Sequence, residues 1–203
     1  MSFFLFVSAV CFVILAGLVL YGYRDLIQTI YKETFRRTTW TKAAQAAAVV
    51  LSIPALEAAF KGFEPLNAPV LGLGEGRLAA LGLGSVLFML VVPLIAYVEE
   101  RIFRHNRLTW PMIALFSVLF GLLHVFNGYS FVKVMAVTAA GFALGVLYRT
   151  SVIAQVGEPL VEAGGRLEEA KTNALFEVTT YHTLYNLLAI PLAYAYLVLP
   201  SLA

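Results

Sequence analysis

The chain has 203 residues, 61% of them hydrophobic and only 13% charged, with a formal net charge of +2. A water-soluble domain carries about 25% charged residues, so these few charges exclude a fully hydrated surface and imply a polytopic membrane protein. The single cysteine, Cys11, excludes an internal disulfide and any multi-cysteine metal site.

A membrane-spanning helix needs about 20 mostly apolar residues, and the sequence offers about six such segments. The first covers residues 3–21. It has no basic leading region and no small-x-small cleavage pattern, so it is expected to be retained rather than removed as a signal. Cys11 within it reads as an apolar filler. A basic loop with Arg24, Lys32, Arg36, Arg37 and Lys42 leads to the second segment, 43–60. Residues 62–77, with Pro65, Pro69 and four glycines, read as a loop or re-entrant piece.

The third segment, 79–98, is expected to extend as helix to about residue 107. A tight turn over 108–111 then enters the fourth, 111–126, because proline suits a helix start and disfavours helix just before it. The fifth covers 130–148 and the sixth 174–199. Between them, residues 155–171 mix Glu158, Glu162, Arg166, Glu168 and Glu169 with Val156, Leu160, Val161 and Leu167, a pattern for a short surface helix. The expected architecture is therefore all-α: one integral membrane domain over residues 1–203, with a polar site inside a helical bundle. No internal repeat is visible, and nothing resembles a nucleic-acid site.

Basic residues orient the bundle. Arg101, Arg104 and Arg107 follow the third segment, and Arg149, Arg166 and Lys171 separate the fifth from the sixth. With the first basic loop, they fall on one side, while the other side has only Lys61, Arg77 and Lys133. Positive-inside bias puts these loops in the cytoplasm and the N-terminus outside.

Three apolar segments carry polar groups. Glu99 and Glu100 close the third, with Arg104 four residues after the second acid; Phe120 and His124 lie in the fourth; His182 and Asn186 lie in the sixth. Ionisable groups at membrane depth are costly and mark functional sites. A turn near Pro111 sets Glu100 and His124 at similar depth, roughly 15–20 Å from the turn, and His182 lies roughly 15 Å into its own segment. Glu100 and Arg104 form an i,i+4 acid–base pair, and His182 and Asn186 share a helix face. Glu99 points about 100° away from Glu100 and is expected to meet the histidines of the fourth and sixth segments.

Taken singly, each group has a plainer reading. The acids could form a solvated helix end, the histidines could hydrogen-bond between helices, and Phe120 could simply pack. His105 reads as a turn residue, and Asn127, Tyr181 and Tyr185 as packing or interfacial anchors rather than substrate contacts. Together they suit a hydrolase. A carboxylate beside a histidine can activate water, and a second histidine with an asparagine can stabilise an oxyanion. No serine or cysteine nucleophile accompanies them. Two histidines and a glutamate could also bind zinc, through Glu99, His124 and His182, although the local H-E-x-x-H spacing is absent.

At these residues the chain resembles the CAAX-protease and bacteriocin-processing family, the glutamate-dependent intramembrane proteases related to the Ras-converting endopeptidase. The family pattern is E-E-x-x-x-R, F-x-x-x-H and H-x-x-x-N in separate membrane helices. Here it reads Glu99-Glu100-Arg101-Ile102-Phe103-Arg104, Phe120 to His124, and His182 to Asn186. The resemblance covers about residues 80–199; the first two segments carry none of it. It implies a catalytic set of Glu99 as water-activating base, His124 holding the water, and His182 with Asn186 as oxyanion donors. Glu100 and Arg104 would form a structural or substrate-orienting pair. It further implies peptide-bond cleavage in a membrane-anchored protein or peptide near the cytoplasmic face of a bacterial or archaeal membrane, without a cofactor. Two departures are visible: His105 stands where the family usually has glycine, and the acid-to-histidine segment is short. The rival readings are a non-catalytic scaffold or bacteriocin-immunity protein of the same fold and, with less support, a proton-coupled transporter.

Overall fold

A computed structural model describes residues 21–59, 75–127, 131–158 and 165–198. Among them every regular element is helical: α1 (Arg24–Arg36), α2 (Trp40–Ala59), α3 (Glu75–Phe103), α4 (Trp110–Leu123) with a 3₁₀ turn (His124–Asn127), α5 (Phe131–Val156) and α6 (Arg166–Val198). The all-α expectation holds for these residues. The first apolar segment and most of the 62–77 loop lie outside them.

The first basic loop is a helix, not a loop. In α1 the charged residues occupy one side, while Ile30 and Thr34 are fully buried on the other. Asp25 in its first turn and Arg36 in its last complement the helix dipole. Ile30 joins a core cluster with Tyr97 of α3, Tyr148 and Val152 of α5, and Ala170, Ala174, Leu175, Phe176 and Val178 of α6. α6 is thus the central helix, in contact with α1, α2, α3 and α5.

The stretch expected as a separate surface helix over 155–171 is divided differently. α5 continues through Val156 and α6 begins at Arg166. Val152 and Ala170 are buried in the core cluster, and Val156 and Leu167 pack against it. Burial of those four outweighs the charged residues that interrupt the hydropathy. Residues 159–164 lie outside the described residues.

α3 also ends early, at Phe103 rather than near 107. The Arg104 and His105 amides both point back to the Glu100 carbonyl, at 2.8 and 3.3 Å. Asn106 then takes a left-handed φ of +65°, which asparagine tolerates better than most residues. Its amide donates to the Tyr148 hydroxyl at 3.4 Å, and Arg149 Nε donates to the Leu108 carbonyl at 3.1 Å. The connection is therefore a six-residue link tied to α5, not a tight turn at 108–111. Thr109, in extended conformation, caps α4, with Pro111 in its first turn.

α4 lies closely against α5. A methyl group at Gly145 would come within 2.7 Å of Ile113. α5 is the one helix among the described residues that is long and apolar enough to cross a membrane by length and composition, and α4 is a shorter apolar helix.

Candidate functional site

The end of α3 and the middle of α6 meet in a small ionised cluster. Glu100 is fully buried, and Arg104 is 1% exposed. His182 reaches across from α6, with Nδ1 2.7 Å from Glu100 Oε1 and Nε2 3.3 Å from Glu99 Oε2. The short Nδ1 contact is a hydrogen bond between His182 and Glu100, whereas Nε2 lies at ion-pair distance from Glu99. Arg104 Nε stands 3.5 Å from Glu100 Oε2, at ion-pair distance. Glu99 differs from its neighbour in being about one-third exposed. It is the acid of the pair that solvent can reach.

The guanidinium of Arg104 is unusual. None of its nitrogens has a hydrogen-bond partner among the described residues. Its neighbours are the Glu100 carboxylate and the faces of Phe120, at 5.1 Å, and Phe103, at 5.9 Å. Cation–π contacts of this kind contribute about 0.5–2 kcal/mol. Gly141 of α5 makes room for it: a methyl there would stand 3.0 Å from Arg104 Nη2 and 3.1 Å from Phe120.

Phe120 is the hinge of the cluster. Its ring is edge-on to His124 at 4.8 Å, to His182 at 5.8 Å and to Phe103 at 5.2 Å. α4 tightens into its 3₁₀ turn at His124, whose Nδ1 lies 2.8 Å from the Phe120 carbonyl. A carbonyl can only accept, so Nδ1 carries the proton. Asn186 stands one turn beyond His182 on α6 and is half-buried.

Most of the sequence-derived site is thus brought together. Glu99 meets His182 and Glu100 meets Arg104, while His124 joins through Phe120. Two features go beyond the sequence reading. Glu100 is held by His182 as well as by Arg104, and Gly141 supplies the space for the guanidinium. Of the residues weighed for zinc, His182 has its two ring nitrogens 2.7 Å from Glu100 and 3.3 Å from Glu99.

No family model, curated protein or solved structure matches the chain.

Proposed function

We propose that this chain is a glutamate-dependent intramembrane endopeptidase, cleaving a membrane-anchored protein or peptide near the cytoplasmic face. The observation that carries the reading is His182 held between a buried acid, Glu100, and a reachable one, Glu99, with Arg104 behind. Burying this many ionised groups among apolar helices is costly, and a polar reaction centre accounts for it.

The membrane setting has its own support. Trp40 and Trp110, 92% and 50% exposed, are the first residues of α2 and α4. Both helices start on the basic side. Tyr21 and Tyr23, also exposed, end the first apolar segment on that side. Exposed aromatics at the ends of apolar helices are what a membrane–water boundary favours. Beyond it, α4 turns Leu115, Val118, Leu119 and Leu122 outward, a surface suited to lipid.

In this reading Glu99 takes a proton from water as the water oxygen bonds to the scissile carbonyl carbon. The neutralised acid then pulls less on His182 Nε2, leaving that N–H free to donate, with Asn186, to the developing oxyanion. Collapse breaks the C–N bond, and Glu99 returns its proton to the leaving amine. His124 helps to hold the water. Glu100 keeps His182 aimed, and Arg104 pairs with Glu100.

The test is cleavage of a membrane-embedded peptide by the purified full-length chain and by Glu99→Gln. The variant is nearly isosteric and should be inactive while folding normally. Substantial cleavage by it would sink the assignment. A histidine between two acids also suits proton transfer. Proton-driven flux by the parent without peptide cleavage would favour the transporter reading instead.

A further inference from the structure

A second polar constellation lies on the other side of α6. Asn173, Glu177 and Tyr181 follow at intervals of four residues and share a face. All three meet the corner where α1 passes into α2. Arg37 donates to the Asn173 carbonyl at 3.3 Å and to its side-chain oxygen at 3.0 Å. Glu177 takes Lys42 Nζ at 2.7 Å and lies 3.9 Å from Arg37. Tyr181 donates to Gln45 Oε1 at 2.8 Å. Just beside this seam, the Thr180 hydroxyl approaches the Thr34 carbonyl of α1 at 3.4 Å.

The same corner grips α3. The Tyr31 hydroxyl donates to the Leu90 carbonyl, near Pro93, whose missing N–H weakens the helix there. Ile30 is buried with Tyr97 of α3 and Phe176 and Val178 of α6. The α1–α2 corner therefore braces the two helices that carry the acids and the histidine.

Rotation of α6 is what such a seam controls. Glu177 lies five residues before His182, about 140° around the helix, so the seam faces away from the acids. Packing between apolar helices in an apolar solvent leaves rotation weakly fixed, and polar contacts across the interface fix it. Side-chain tips lie about 5–6 Å from a helix axis. A roll of about 20° would move the imidazole roughly 2 Å and break its short contacts with Glu99 and Glu100.

We propose that Glu177, held by Lys42 and Arg37, is a positioning residue that sets the roll of α6 and so seats His182 between the two acids. It touches no reacting atom. The inference rests on the hydrolytic reading of His182 but has a readout independent of it.

The experiment compares the full-length parent with Glu177→Leu and Glu177→Gln in lipid nanodiscs, using one membrane-embedded peptide. For Glu177→Leu, kcat should fall about 10- to 100-fold with KM within about threefold, the signature of a misplaced group rather than lost binding. Glu177→Gln keeps an acceptor oxygen for Lys42 and should fall between. In parallel, ¹⁵N-histidine NMR reads the site without turnover. The chain has three histidines, and the His182 signal is identified by its loss in His182→Gln. It should move in Glu177→Leu while the His105 signal stays. If Glu177→Leu fails to fold, Tyr181→Phe, which removes only the bond to Gln45, should move the same signal to a smaller extent. A His182 signal that stays put in the folded variants overturns the positioning role, whatever happens to turnover. A moved signal with no cleavage by the parent supports the positioning role and overturns the proteolytic reading alone.

Discussion

The two polar constellations on α6 solve different problems. In the seam, Arg37, Lys42 and Glu177 are each 15–23% exposed, and Arg37 and Lys42 find hydrogen-bond partners besides their ion pairs with Glu177. In the site, Glu100, Arg104 and His182 are 0%, 1% and 7% exposed, and the guanidinium has no hydrogen-bond partner among the described residues. Side chains that keep some water and satisfy one another are structural connections of modest value. Charges shut away with too few partners lower stability unless something else requires them. The contrast separates a seam that holds α6 from a site whose polarity the proposed hydrolysis would account for.

Substitutions in the site should sharpen that contrast most. His182→Ala and His124→Ala should each reduce peptide cleavage by orders of magnitude, measured as single-turnover rates on the membrane-embedded peptide. Asn186→Ala should be milder, at about 10²-fold, near the lower end for loss of one oxyanion donor. Loss of activity from only one histidine substitution would mean that the residues around Phe120 do not act as one site.

Arg104→Ala should show next. It leaves Glu100 buried without its cation, and breaking a buried pair from one side costs about 3–5 kcal/mol. A lower melting temperature and poorer yield in detergent are expected. Arg104→Lys should recover only part, because a compact ammonium cannot lie flat between two rings. If Arg104→Ala melts like the parent, the buried pair does not hold the end of α3.

The smallest effect belongs to α1. Hydrogen bonding from Arg36 holds the Glu33 carboxyl below its ordinary value of 4.5, against the opposing effect of burial. A lowered carboxyl contributes stability above its unfolded value and loses it as pH falls through the folded one. Glu33→Gln should therefore melt slightly below the parent at pH 7, and the gap should close as the pH falls below the ordinary 4.5. A gap that persists unchanged at low pH would show that the charge of Glu33 is not what stabilises α1.

What the sequence made legible follows the same division. The three motifs sit in apolar segments, so their convergence and the Glu100–Arg104 pairing could be read from spacing alone. Which acid His182 would choose could not: the two partners lie 82 residues apart in sequence, and both acids are used. At Val156 and Arg166 hydropathy and packing disagree, and packing sets those helix ends. α3 stops at Phe103, ahead of left-handed Asn106, where local composition would continue the helix. α1 was obscured by its own basic residues, which mark orientation so strongly that the buried Ile30–Thr34 face is easily passed over.

Gly141 and Arg104 lie 37 positions apart, yet the absence of a side chain at one is the berth of the other. They should behave as a single unit of inheritance. A lineage that shortened the arginine would free position 141 to grow, whereas one that enlarged the glycine first would strand the cation. Substitution history in descendants of this chain should therefore run in one order and not the reverse.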